Sequence, residues 1–184
     1  VITITANDGV TAGAAPTDPT TTTVLVINLT VTKYVANVTA PVVGGTPFPA
    51  VGTLDTSLGA GGIIYYATGV TGNPGDVLEY VIVISNGASA ATATDIIITD
   101  PIPNFTTLTS NIAVDNGLGG GFVATGTVAE DGDFAEANAT TVFIYAGDDT
   151  LAGEGVDNVG VPGTGGRLAA NITTIGAFQV TITP

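Results

Sequence analysis

Carboxylates are the only plentiful reactive side chains in this chain: there are sixteen, and half of them fall between Glu130 and Asp157, in EDGDFAE and GDDTLAGEGVD. Clustered Asp and Glu separated by Gly could wrap a Ca²⁺ ion, which takes roughly six to eight oxygens at about 2.3–2.6 Å. Asp131, Asp133, Asp148 and Asp149 are the candidate ligands. Neither segment has the regular ligand spacing of a calcium loop, so solvated acidic turns are the competing reading, and no other cofactor is expected. Paired carboxylates also serve glycoside hydrolysis, but with no Trp and five Tyr the aromatic platform that would hold a sugar is thin. His and Cys are absent, which removes the usual general base, Ser-His triads, thiolate nucleophiles and the common transition-metal ligands. The chain is not expected to be an enzyme.

A second kind of chemistry is modification. Asn28, Asn37, Asn104, Asn138 and Asn171 each stand two residues before a Thr, the acceptor pattern for N-linked glycans. In a chain with 32 Thr, part of that count arises from composition alone. Lys33, near the end of a predicted strand, could form an isopeptide bond to an Asn such as Asn171 if a carboxylate stood beside the pair; a plain surface lysine is the simpler expectation.

Lys33 and Arg167 are the only basic residues, and the formal charge is -14. A nucleic-acid surface needs clustered Lys and Arg, and an anionic membrane repels such a chain. Neither partner is expected. Hydropathy is high, but no apolar run reaches membrane-spanning length, so membrane insertion is not expected. The absence of Met suggests a chain that starts after a processing event, most simply removal of a secretory signal, and so an extracellular, cell-surface protein. Without disulfides, its stability must come from its core and its partners.

These side chains must be positioned by strands. Thr, Gly, Pro and β-branched residues dominate, and no long stretch has helical spacing. In VLVINLTVTKYV, Leu25, Ile27, Leu29 and Val31 share one face, and Asn28, Thr30 and Thr32 the other, which predicts a half-buried strand. A Pro- and Gly-broken region follows, then the apolar run Ile63 to Ala67 and the turn GNPGD at Gly72 to Asp76. VLEYVIVISN is the strongest strand; Leu78, Tyr80, Ile82 and Ile84 make its core face, while Val81 and Val83 make the opposite face apolar too. We expect Val81 and Val83 to form a dry subunit contact, with cover by the Val38 to Gly62 region as the alternative. Further strands are predicted at 92–99, 105–114, 122–128, 141–146, 168–173 and 178–183.

The segment that stands apart is Val1, Ile2, Thr3, Ile4, Thr5: a strand pattern that Ala6 to Thr23 cannot continue. The eighteen-residue linker can span up to roughly 60 Å when extended. A body of about 160 residues is roughly 40 Å across. Val1 to Thr5 can therefore reach a neighbouring subunit's sheet and act as a donor strand.

From Val77 to Leu108 the chain resembles the conserved-repeat domain of bacterial and archaeal surface proteins, an immunoglobulin-like module catalogued as a domain of unknown function. Tyr80, Asn86, Gly87, Ala93, Thr94, Ile96 to Thr99, Asp100, Pro101 and Pro103 carry the likeness. LTVTKYV at Leu29 to Val35 and NPGD at Asn73 to Asp76 look like that family's opening strand and turn. The resemblance implies a spacer and assembly module with no active site. Asn86-Gly87 is expected to supply the positive φ angles of a tight turn, and Pro101 and Pro103 to stop a ladder. The layout of strand, linker and sandwich also resembles donor-strand filament subunits.

These readings predict an all-β protein: residues 1–23 a donor strand and linker, residues 24–184 an immunoglobulin-like Greek-key β-sandwich. The expected role is the structural subunit of an extracellular filament, pilus-like or a biofilm-matrix fibre, whose partners are identical subunits. The alternative is an adhesin or surface-layer module that does not polymerise.

Overall fold

The computed structural model describes residues 26–42, 44–45, 47, 56, 58, 62–115, 122–126, 135–145 and 166–184. Val1 to Thr5 and the four candidate calcium ligands, Asp131, Asp133, Asp148 and Asp149, lie outside the described residues.

The described residues form ten strands, in order β1 Leu29–Asn37, β2 Val77–Asn86, β3 Ala93–Pro101, β4 Thr106–Leu108, β5 Ile112–Asp115, β6 Val123–Gly126, β7 Ala135–Ala137, β8 Thr141–Tyr145, β9 Gly166–Leu168 and β10 Thr173–Ile182. The described residues contain no helix, and none that could cross a membrane. One antiparallel sheet runs β1-β2-β10-β5-β6, with β4 pairing the end of β10; the other runs β7-β8-β3-β9. The sheets share one core. Ile82, Ile84, Ile112, Val114, Phe178 and Val180 come from the first, and Ala93, Ile96, Ala135, Val142, Ile144 and Leu168 from the second.

Turn chemistry fixes the register of the long strands. Asn73 to Asp76 closes with Asp76 N–H donating to the Asn73 carbonyl at 3.0 Å. Pro74 sets the first central position, and Gly75, at φ 94°, takes the left-handed conformation that the second requires. Asn86-Gly87 works differently from its sequence reading. Neither residue has positive φ; Gly87 lies against Asn28, where a Cβ would come within 2.7 Å of Nδ2, the end of an exposed side chain that can move aside, and its N–H donates to the Asn28 carbonyl at 3.0 Å. The Asn86 side chain is buried, and its Nδ2 donates to the carbonyls of Ala91 at 2.8 Å and Leu168 at 2.9 Å, tying β2 to the start and partner of β3. Pro101 ends β3 as expected.

Three elements depart from the sequence reading. The predicted strand at 105–114 is two strands, β4 and β5, separated at Thr109 to Asn111. The one at 168–173 is displaced: β9 ends at Leu168, and a turn with Asn171 at φ 61° leads into β10. β7, three residues long, carries too little pattern to be read.

Candidate functional site: the open edge of β1

Strand β1 lies at an edge of its sheet and pairs with β2 along its whole length, from Leu29 opposite Asn86 to Asn37 opposite Leu78. Its odd-numbered residues face the second sheet, because Leu29, Val31, Lys33 and Val35 stand opposite Asn86, Ile84, Ile82 and Tyr80. The predicted alternation is correct, but the burial is not. Leu29 is 37% exposed, Val31 56%, and the preceding Val26 and Ile27 67% and 57%. The face expected to be half-buried is an apolar patch open to solvent.

Lys33 ends that patch. Its Nζ donates to Asp100 Oδ1 on β3 at 2.9 Å and lies 2.6 Å from Oδ2, joining the two sheets. It also sits 4.2 Å from the Tyr80 ring centroid and 5.7 Å from that of Phe178. Burial, and secondarily the Asp100 carboxylate, hold the Tyr80 phenol above its usual pKa. The isopeptide arrangement does not form here. Asn171 N–H donates to Asn86 O, and Asn86 is four residues along β2 from Ile82, the partner of Lys33, a separation of about 13 Å at roughly 3.3 Å per residue.

The other face of the sheet is closed. Val81 is fully buried and Val83 half-buried in a cluster with Tyr34, Ala36, Tyr65 and Ala177, against which Leu58 and Ile63 also pack. Val81 therefore offers no surface to a neighbouring subunit; the chain's own residues cover it. A carboxylate secures the cover. Glu79, fully buried, accepts from Tyr65 OH at 2.6 Å and from Thr56 Oγ1 on one oxygen, and from Gln179 Nε2 at 2.6 Å on the other. Gln179 Nε2 also reaches the Leu58 carbonyl at 3.2 Å. This network pins Thr56, Leu58 and Tyr65 to the sheet. It was not legible in the sequence, since nothing in Thr56 or Gln179 marks them as partners of Glu79.

The five sequons separate cleanly. Asn28, Asn104, Asn138 and Asn171 are exposed. Asn37 is 2% exposed and fully engaged: Nδ2 donates to the Thr71 carbonyl at 3.1 Å and Asp76 Oδ2 at 2.9 Å, while Oδ1 accepts from the N–H groups of Thr39 at 3.1 Å and Ala40 at 2.8 Å. Its amide has no free hydrogen for a glycan to replace, so Asn37 is a structural residue. The backbone N–H of Asn73 and the Asn37 amide hold the Asp76 carboxyl below the usual carboxylate pKa. Among the described residues, no group of three or more Asp and Glu is placed to hold a metal. Comparison of the chain with protein-family models, with curated proteins and with solved structures finds no match.

Proposed function

We propose that this protein is the structural subunit of an extracellular filament, pilus-like or a biofilm-matrix fibre. In this reading it is an immunoglobulin-like Greek-key β-sandwich polymerised by insertion of Val1 to Thr5 into a neighbouring copy. The observation that supports it is the exposed apolar pair Leu29 and Val31 on a sheet-edge strand, with Val26 and Ile27 exposed just before it. Soluble proteins blunt such edges with short strands, charges or cover. Here β7 and β9 are three residues long and β6 four, whereas β1 has nine, with Leu29 to Lys33 preceding the Tyr66 bridge at Val35. A long apolar edge is a template for another strand, and the sequence carries a spare one.

The energetics suffice. Burying an Ile or Val side chain contributes roughly 1.5–3 kcal/mol, and each ladder hydrogen bond about 1 kcal/mol. One inserted strand thus supplies on the order of 10 kcal/mol before ordering costs. The large negative charge keeps subunits apart except where a specific, uncharged contact forms.

Deleting Val1 to Ala6 and imaging the protein by negative stain tests the reading. Loss of fibres, with soluble, aggregation-prone monomers whose open groove is capped by added VITITA peptide, is the expected result. Normal fibres from the deletion variant would leave the non-polymerising adhesin or surface-layer module as the function.

A further inference from the structure

The backbone of β1 defines where a strand could add. Val35 N–H donates to the Tyr66 carbonyl, and Tyr66 N–H to the Val35 carbonyl, both at 2.9 Å. The main-chain groups of Val35 therefore point away from β2. The two-residue period of a strand directs those of Lys33, Val31 and Leu29 to the same side, and no described residue's backbone pairs with them. The open stretch runs from the start of β1 at Leu29 to Lys33, where the Tyr66 bridge takes over. It is five residues long, and its side chains turn apolar surface outward until Lys33 turns to Asp100.

We infer that the open stretch at the start of β1 is a strand-addition site for Val1 to Thr5 of a second copy of this chain, antiparallel to β1, with Ile2 opposite Val31 and Ile4 opposite Leu29, so that Val1 to Thr5 runs opposite Thr32 to Asn28. The inference rests on the donor-strand reading and adds the place, direction and register. Residues opposite one another in a ladder share a face. Setting Ile2 and Ile4 against Val31 and Leu29 places all four apolar side chains together, and sets Thr3 beside Thr30 and Val1 beside Thr32 on the other face. A slip of one residue would turn Thr3 and Thr5 inward and Ile2 and Ile4 out to water. Antiparallel pairing matches every ladder in the described sheets. A second copy can supply the donor because the eighteen-residue linker, up to roughly 60 Å when extended, outreaches a body roughly 40 Å across.

The chain has no Cys, so engineered pairs report without background. Thr30 is exposed, and Thr3–Thr30 would be a non-hydrogen-bonded pair with Cα atoms about 4.5 Å apart, within disulfide range. Oxidised Thr3→Cys/Thr30→Cys protein should give a reducible ladder of multimers, and mixing the two single variants should give covalent dimers. Thr3→Cys/Thr107→Cys, with its second position the exposed residue of β4, should give neither. Val1→Cys/Thr32→Cys should cross-link, and Thr5→Cys/Thr32→Cys should not; the reverse result would overturn the antiparallel direction. A disulfide confined to monomers would overturn the second copy as partner. Fibres that form without any Thr3–Thr30 cross-link would overturn this edge while leaving strand donation standing. Fibres that persist after deletion of Val1 to Ala6 would remove both.

Discussion

The two halves of β1 ladder onto the same partner strand with one unbroken register, and yet they end in opposite states. In the second half Tyr34, Ala36 and Asn37 are buried, Val35 is bridged by Tyr66, and Asn37 spends its whole amide on Thr71, Asp76, Thr39 and Ala40. In the first half Leu29 and Val31 stand in solvent beside backbone groups with no described partner. Propensity does not explain the difference, since the exposed half carries Thr30, Val31 and Thr32 and the buried half has Val35 as its one β-branched residue. The difference is cover, on both faces: the Glu79 network lays Leu58, Ile63 and Tyr65 over Tyr34 and Ala36 but not over Thr30 and Thr32, while on the face toward the second sheet Lys33 is paired with Asp100 and Leu29 and Val31 stay exposed. An edge can thus be closed over part of its length by the chain itself and remain open to a partner over the rest, with the inward-facing Lys33 at the boundary.

The closed half should break most severely at Glu79. Glu79→Leu keeps the volume but leaves the Thr56 and Tyr65 hydroxyls and the Gln179 amide without their acceptor. Each unsatisfied buried donor costs about 1–3 kcal/mol, and with partial relaxation the loss should be about 3–5 kcal/mol. Urea denaturation reads this directly, and a change below about 0.5 kcal/mol would show that the network is not what holds the cover. Asn37→Ala comes next, at about 2–3 kcal/mol for the loss of four hydrogen bonds at a buried site. The same residue sharpens the modification pattern. If native protein carries sugar, peptide mapping should find it on Asn28, Asn104, Asn138 or Asn171, and never on Asn37.

The sequence disclosed these two halves unequally. β2 and the turn into it were legible because Pro74-Gly75 and a ten-residue apolar strand leave few alternatives. The alternation of β1 was legible for the same reason, since the side-chain period of a strand is fixed by covalent geometry. What lies over each face was not. In the sequence Val81 and Val83 form an apolar face open to either a subunit contact or cover by the chain, and Leu29 and Val31 read as half-buried; in the fold Val81 is fully buried, Val83 half-buried, and Leu29 and Val31 exposed. Period states which residues share a face, but cover depends on contacts between residues as distant as Leu58 and Gln179, which no local pattern encodes.

The open half should respond in assembly and hardly at all in stability. Val31→Asp replaces an exposed side chain, so the isolated domain should shift by less than about 0.5 kcal/mol. An added strand would set Ile2 beside that carboxylate on the same face and desolvate it without a partner, so fibre formation should be lost. Denaturation and microscopy on one preparation check both halves of the expectation. A marked loss of stability in the monomer would mean that Val31 is already covered within its own chain.

The smallest effect lies at the far end of the closed half, in Asp76. Its carboxyl accepts from the Asn73 backbone N–H at 2.9 Å and the Asn37 side chain at 2.9 Å, and these bonds lower its pKa below the ordinary value of 3.8. A group whose pKa is lower folded than unfolded binds its proton more tightly in the unfolded chain. Its contribution is therefore complete above the unfolded value and disappears as pH falls through the folded one. Wild type should lose more stability than Asp76→Asn between about pH 5 and pH 2, the two converging at the acid end. Asn37→Ala removes one of the two bonds and should narrow the window from its acid side, because the folded pKa rises back toward 3.8. Melting temperatures across that range for the three proteins provide the check. Parallel curves for wild type and Asp76→Asn would show that the carboxylate contributes nothing to this end of the strand, leaving Asn37 to hold it through Thr71, Thr39 and Ala40 alone.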